Sequence, residues 1–343
     1  MSLLARLIAW GESTPVPDAV TRAAIAWLVG RTDRSLAAFT DADEAAFAAS
    51  MAAYPVAMHT DAANAQHYEM PPDFFVRVLG PQRKYSSGYY DSPQTTLAEA
   101  ETRALDLTMN HAGLADGQAI LELGCGWGSL SLAMARRFPR ATITAVSNSH
   151  GQRRFIEAEA ARQGLGNLTV VTADMNVFAP EGRFDRIVSV EMFEHMANWR
   201  ELLARAASWL AADGRLFLHI FTHRTGSYRF DTADKTDWIA QHFFTGGLMP
   251  GHGLIRRFDD LFTVEEEWRW SGEHYRRTAE DWLALFDSRR AEIDPILASV
   301  YGTDRVALWR RRWRLFFLAT SGLFGHAMGA SWGVSHYRLK PVH

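Results

Sequence analysis

The sequence is short of cysteine, of lysine and of long apolar runs, and each shortage narrows what the chain can be. A single cysteine, Cys125, in 343 residues excludes an internal disulfide framework and any zinc site built from paired thiolates. It fits a reducing, cytoplasmic setting. No apolar stretch reaches membrane-spanning length. The opening segment 1–10 is interrupted by Arg6 and closed by Gly11, too short for a signal core or a span. The best apolar candidate, 315–330, contains Gly322, His326 and Gly329 and follows Arg310, Arg311, Arg312 and Arg314, which reads as a buried helix. No stable membrane insertion is expected. Lysine is confined to Lys84, Lys235 and Lys340, and acidic residues (39) slightly outnumber basic ones (36), for a net charge of -3. That balance gives no support to a nucleic-acid partner, which needs a basic surplus. With 48% apolar and 22% charged residues, the composition is globular and excludes disordered and fibrous classes.

What is present is a long strand–helix alternation. The chain is about two average domains long, yet it shows no internal repeat and no low-complexity linker. Residues 1–66 are rich in helix formers, with Asp41 and Asp43 placed to cap an apolar-periodic run through Ala45, Phe47 and Met51. Residues 67–110 begin with a shift to Pro, Tyr, Phe and Gly, centred on Lys84-Tyr85-Ser86-Ser87-Gly88-Tyr89-Tyr90, and read as a loop-rich lid. From 111 onward strands are expected at 119–123, 142–146, 168–172, 184–190 and 215–221, separated by helices reaching Phe138, Gly164 and Leu210. This period predicts an α/β fold, a mostly parallel sheet with helices on both faces. A polar-aromatic insertion follows to about Asp260, then a strand-like run at 262–270, helices from Ala279, and an alternating run at 331–339 that reads as a returning edge strand. One sheet within 111–343, carrying a covering insertion at about 222–330, is expected rather than two independent domains.

The strongest local signal is Ile120-Leu121-Glu122-Leu123-Gly124-Cys125-Gly126-Trp127-Gly128, a buried strand ending in an acid and a glycine-rich turn before a helix. A dinucleotide would want G-x-G-x-x-G with its pyrophosphate on the helix N-terminus. Here the spacing is E-x-G-x-G-x-G, the pattern of S-adenosylmethionine-dependent methyltransferases, whose cofactor carries no phosphate. Glu122 can orient the cofactor's ammonium end through the loop and waters, with Gly124 and Gly126 admitting the backbone close to it. An ordinary tight strand–helix turn is the bland alternative. In Thr172-Ala173-Asp174-Met175 an acid just past a strand can accept from the adenine amine while Met175 packs on the ring, although such an Asp is often only a turn former. The second strand lacks the usual ribose-binding acid and reads Ser147-Asn148-Ser149, with Gln152 next.

After the fourth strand, ending at Val190, comes Glu191-Met192-Phe193-Glu194-His195-Met196. If this segment turns helical, Glu191, Glu194 and His195 share one face at the carboxyl end of a central strand, where open α/β sheets bind ligands. A carboxylate–imidazole set suits removing a proton from a nucleophile, or stabilising one that becomes cationic. Acids at a helix N-terminus also favour the dipole, and a metal at Glu-x-x-Glu-His lacks further ligands nearby, so none is expected.

Taken together, Tyr85-Ser86-Ser87-Gly88-Tyr89-Tyr90, the Gly124 loop, Ser149 with Gln152, Phe193-Glu194-His195, His67-Tyr68-Glu69 and His274-Tyr275-Arg276-Arg277-Thr278 resemble the cyclopropane-fatty-acid synthase superfamily. The chain is most similar to its coclaurine N-methyltransferase-like branch, through Leu130-Ser131-Leu132, Glu191 to Met196, Phe243 to Pro250 and Trp332-Gly333-Val334-Ser335-His336. The resemblance runs from about residue 60 to the end. It implies a Rossmann-like class I methyltransferase fold with a seven-stranded, mostly parallel sheet, and S-adenosylmethionine as cofactor, leaving as S-adenosylhomocysteine. By the same resemblance Tyr85, Ser86, Gly124, Gly126, Ser147, Asn148, Gln152, Asp174, Met175 and Val190 hold that cofactor.

The family divides over what receives the methyl group. Lipid-cyclopropanating members lose a proton to bound bicarbonate, held by positions that match Ser87 (a cysteine there), Glu194, His219, Tyr275 and the backbone near Phe221. In the N-methyltransferase-like branch the acceptor is a small amine, and the matching Glu194 and His195, supported by Glu191, orient it and accept its proton. The resemblance thus implies an enzyme acting on a small-molecule amine, with unsaturated acyl chains as the enzyme alternative and a non-catalytic cofactor-binding protein as a further one. Trp238, Phe243, Phe244, Tyr275, Trp332 and His336 are candidates to enclose the amine. The run Trp309-Arg310-Arg311-Arg312-Trp313-Arg314 fits either peripheral contact with acidic lipid or a solvated helix face with two buried tryptophans. A homodimer is left open.

Overall fold

The computed structural model describes residues 11–58, 70–234 and 236–342. The opening segment, His67-Tyr68-Glu69 and Lys235 lie outside the described residues. In chain order the elements are α1 (Asp18–Leu36), α2 (Asp41–Ser50), α3 (Pro72–Val78), α4 (Leu97–His111), β1 (Ala119–Leu123), α5 (Ser129–Arg137), β2 (Thr142–Ser147), α6 (His150–Gln163), β3 (Leu168–Thr172), β4 (Phe184–Val190), α7 (Trp199–Trp209) and β5 (Leu210–His223). The remainder comprises β6 (Tyr228–Arg229), α8 (Trp238–His242), β7 (Leu248–Met249), β8 (Phe262–Ser271), α9 (Gly272–Ser288), α10 (Arg290–Tyr301), α11 (Val306–Phe324) and β9 (Trp332–Pro341).

Local chemistry sets several of these boundaries. Thr40, not an aspartate, caps α2: its hydroxyl accepts from Asp43 N–H while the Asp43 carboxylate accepts from Thr40 N–H, a reciprocal box that satisfies two otherwise orphaned donors. Thr96 and Glu99 do the same for α4, which ends the loop-rich stretch.

Seven strands form one sheet in the order β3-β2-β1-β4-β5-β9-β8. The first five are parallel, and β9 runs antiparallel to both β5 and β8. Alternate residues face opposite layers. Leu121, Ile187, Leu216 and Leu218 pack with Trp199, Leu202 and Leu203 of α7, whereas Ile120, Val188 and Phe217 pack with Leu105 and Met109 of α4 and Met134 of α5. A further apolar cluster joins α1, α3, α9 and α11 through Ile25, Phe74, Trp282, Trp313 and Phe317. In it α1 and α11 approach closely, since a Cβ on Gly322 would sit 2.4 Å from Ile25 Cγ2.

Three further expectations change. The run at 331–339 is not the sheet edge: β9 is paired on both sides and nearly all buried, and the exposed-faced β8 takes the edge. Helix α9 begins at Gly272, capped by the Ser271 hydroxyl, seven positions before the expected Ala279. The segment after Val190 does not continue as an α-helix. Glu191 adopts φ +48°, a left-handed conformation that non-glycine residues rarely hold, and only a 3-10 turn at Phe193–His195 follows.

Candidate active site

The strand order reverses between β1 and β4, which opens a crevice at their carboxyl ends. A cavity of about 1140 Å³ lies there. Its walls near β1 are the glycine loop. Gly124 has φ +81°, and a Cβ on it would lie 2.6 Å from Met192 Cγ; a Cβ on Gly126 would meet nothing within 4 Å. The loop is therefore tight against the protein at Gly124 and open toward the cavity at Gly126. Behind it Glu122, 2% exposed, accepts from the Ser131 hydroxyl; burial pushes its carboxyl up to about 7, against the pull of that bond.

Every residue expected to hold the cofactor lines this one cavity: Tyr85, Ser86, Glu122, Gly124, Gly126, Ser147, Asn148, Gln152, Asp174, Met175 and Val190. The β2 end is preorganised. Ser147 Oγ donates to Gln152 Oε1 at 2.6 Å, Ser149 caps α6, and Ser149 N–H donates to Ser147 Oγ at 3.0 Å. The carbonyl of Gln152 is thus engaged, which leaves its amide nitrogen as the donor.

At the β4 end the geometry separates the three residues of the Glu-x-x-Glu-His motif. Glu191 and His195 line the cavity together with Tyr275, whereas Glu194 and His219 do not. Glu191 is the hub. Its Oε2 accepts from the Tyr275 hydroxyl at 2.6 Å, and its Oε1 accepts from Ser87 N–H at 3.2 Å and lies 3.3 Å from His219 Nε2. Burial raises its pKa, opposed by the Lys84 charge and by the bonds from Tyr275 and Ser87. Glu194, 0% exposed, sits one layer deeper, where Oε1 accepts from Phe221 N–H at 2.7 Å and Oε2 has no hydrogen-bond partner among the described residues. Burial, and then the Glu191 charge, push Glu194 well above the carboxylate range. Two neighbouring carboxyls cannot both ionise cheaply. The one surrounded by donors and a cation, Glu191, holds the charge, and Glu194 is the neutral acid. Burial also holds the His195 imidazole down at about 4, so it is neutral; its ring lies 4.3 Å from that of Phe244.

Of the aromatic candidates, Trp238, Phe244 and Tyr275 line the cavity. Phe243, Trp332 and His336 do not: Phe243 packs between Trp313 and Phe316, and Trp332 and His336 are buried on β9. Sequence reasoning missed Trp127, Phe230, Phe316 and Phe324, which do line it. It also missed the part played by Lys84. That side chain is 1% exposed, donates to Ser86 Oγ at 2.5 Å and Ser87 O at 2.7 Å, and is pushed down to about 8 by burial. The available signal was the rarity of lysine in an arginine-rich chain.

A glycine turn open to the cavity, with a buried acid behind it on this sheet order, is shared with relatives that are methyltransferases, and the protein is an S-adenosylmethionine-dependent methyltransferase of the class I fold. Residues 57–327 match the family model described as mycolic acid cyclopropane synthetase, and the chain belongs to that family. It is 35% identical over 83% of its length to an (S)-coclaurine N-methyltransferase of Thalictrum flavum subsp. glaucum, 80% of which is covered. It is 36% identical over 80% of its length to the same-named enzyme of Papaver somniferum, 79% of which is covered. Among solved structures, coclaurine N-methyltransferase bound to N-methylheliamine and S-adenosylhomocysteine superposes with TM-score 0.94 at 31% identity, covering 99% of this chain and 100% of that one. Among the described residues no helix is long and apolar enough to cross a membrane.

Proposed function

We propose that the enzyme methylates the nitrogen of a small, partly aromatic amine, with Glu191 as the proton acceptor and His195 orienting the acceptor nitrogen. The observation that carries this reading is the position of the Glu191 carboxylate. Ser87, His219 and Tyr275 are three of the positions that the family resemblance assigns to bicarbonate in lipid-cyclopropanating members, and here they converge on Glu191: Ser87 N–H and the Tyr275 hydroxyl donate to it, and His219 Nε2 lies 3.3 Å away. The protein's own side chain supplies the anion. Bicarbonate does not fit a set of partners already taken up in this way.

S-adenosylmethionine supplies an electrophilic methyl on a cationic sulfur. Its fit rests on the space left at Gly126, the buried acid Glu122 and the preorganised Ser147–Gln152 pair, and Asp174 and Met175, which line the same cavity, would hold the adenine. An amine enters water-borne as its ammonium ion. Glu191 attracts it and takes one proton, which exposes a lone pair. Trp238, Phe244 and Tyr275 bound the same end of the cavity, and the faces of such rings attract a cation. Holding the nitrogen in line with the sulfonium replaces a rare bimolecular encounter by a positioned one. Glu194 acts from behind by fixing the backbone of Phe221, a cavity residue.

The lipid alternative loses a second support. Arg310 pairs with Asp294, Arg312 with Glu12, and Arg314 with both Asp18 and Asp287, while Arg311 donates to the Glu12 carbonyl. Trp309 stacks on Tyr301 and Trp313 is fully buried. This run is an internally paired helix face, not a free cationic patch. The test is a labelled-methyl assay with a cyclic secondary benzylic amine and, separately, unsaturated phospholipid vesicles with bicarbonate. Label on the amine nitrogen is expected, and label on the acyl chain alone would overturn the reading.

A further inference from the structure

Methylating an ammonium substrate releases one proton per turnover: an N–H bond breaks, the freed pair forms the N–C bond, and the C–S pair stays on sulfur. On the reading above that proton arrives at Glu191 in a pocket filled by amine and cofactor. The structure provides another way out. Glu191 Oε1 lies 3.3 Å from His219 Nε2, His219 Nδ1 lies 2.8 Å from His336 Nε2, and His336 Nδ1 lies 2.8 Å from His111 Nδ1. Sheet register places the rings, since His219 on β5 pairs directly with His336 on β9, and His336 with Trp268 on β8. His111, the last residue of α4, stacks on Trp268 with centroids 3.9 Å apart and planes 3° from parallel. His219 and His336 are fully buried, and His111 is half-buried.

We propose that His219, His336 and His111 conduct the substrate's proton from Glu191 to the surface beside α4 while the pocket is occupied. This rests on the amine reading and adds residues that act through Glu191, so they are positioning and not catalytic residues. Each neutral imidazole offers one donor and one acceptor nitrogen. The protonated Glu191 gives its proton to His219 Nε2, His219 Nδ1–H passes to His336 Nε2, His336 Nδ1–H to His111 Nδ1, and His111 Nε2–H to solvent. Glu191 is again a carboxylate, and all three rings are neutral in the opposite tautomer. Once product has left, a proton entering at His111 Nε2 drives the same transfers inward, and Glu191 releases it to water through the emptied pocket. That restores the starting tautomers.

The rings are kept neutral throughout because burial lowers all three pKa values, His111 to about 4 and the other two well below the usual imidazole value. Besides the rings themselves, the titratable or charged groups bearing on the two ends are Lys84, Tyr275, His195 and Glu194 at Glu191, and Glu266, Arg338 and Arg103 at His111.

The test uses His111→Ala in the full-length enzyme at saturating amine and cofactor. In weak buffer kcat is expected to fall roughly tenfold or more, with the amine KM unchanged, and added imidazole should restore it saturably. His336→Asn, cut in mid-chain, is expected to show the same loss without rescue. A wild-type kcat for His111→Ala at every buffer concentration, or a loss that imidazole leaves untouched, overturns the conduit. Either result leaves the amine reading standing so long as the wild-type enzyme methylates the amine; a wild-type enzyme that does not would overturn that reading instead.

Discussion

Glu191→Gln is expected to lower kcat by about 100-fold or more, roughly 2.7 kcal/mol of transition-state stabilisation, while leaving cofactor affinity close to that of the wild type. The amide is isosteric: its one oxygen can still accept from Ser87 N–H while its NH2 donates to the Tyr275 hydroxyl oxygen, and the left-handed turn at Glu191 is preserved. What it cannot do is hold a negative charge or take a proton. Both are required if the acceptor arrives as an ammonium ion. The end proposed to hold the cofactor, at Gly124, Ser147 and Asp174, is built from other strands. Equilibrium binding of S-adenosylhomocysteine together with single-turnover methylation separates the two effects. Turnover within threefold of wild type would remove Glu191 from the proton-accepting role.

The second large effect is expected from Lys84→Met. Lys84 is a buried cation that pins Ser86 and the Ser87 carbonyl and lies near both Glu191 and Glu101. Glu101 is itself pushed up to about 7 by burial, held down in part by Gln82 N–H, Lys84 N–H and the Lys84 charge. Removing one member of a buried charged group leaves the others uncompensated, at a cost of about 3 kcal/mol or more in stability. The sign for activity follows from the same charges. Lys84 lowers the Glu191 pKa, so its loss raises that pKa further, and a larger fraction of Glu191 is protonated at neutral pH. The acid limb of the rate profile should move to higher pH, and thermal unfolding should occur at a lower temperature. An acid limb that stays in place would show that Lys84 does not act on Glu191.

The half of the cavity proposed to hold the cofactor was legible because its signals are local. Glu122, the glycine turn, Ser147 to Gln152, and Asp174 with Met175 each lie at the end of one strand, and a parallel sheet brings such ends together whatever the rest of the chain does. The acceptor half depends on features that residue spacing does not encode. Helical spacing would put Glu191, Glu194 and His195 on one face, but the positive φ at Glu191 turns its carboxylate toward Ser87 and Tyr275 and leaves Glu194 buried under Phe221. The histidine chain spans residues 111, 219 and 336, and it exists only because β9 inserts between β5 and β8. The alternation at 331–339 identified a strand; it carried no information about which neighbours that strand would have. The aromatic wall was likewise read from its place in the insertion and C-terminal segments, and packing against α11 and within β9 decided which rings reached the cavity.

The most direct test of Glu191 as an internal replacement for a bound anion is chemical rescue of Glu191→Ala. Truncation leaves Ser87 N–H, the Tyr275 hydroxyl and His219 facing a vacated carboxylate-sized space. Methyl transfer to the amine should be nearly lost in bicarbonate-free buffer and should return saturably on titration with formate or bicarbonate, while the wild-type enzyme remains indifferent to both. A Glu191→Ala enzyme that keeps its full rate without added anion, or a wild-type enzyme that requires bicarbonate, would contradict the account.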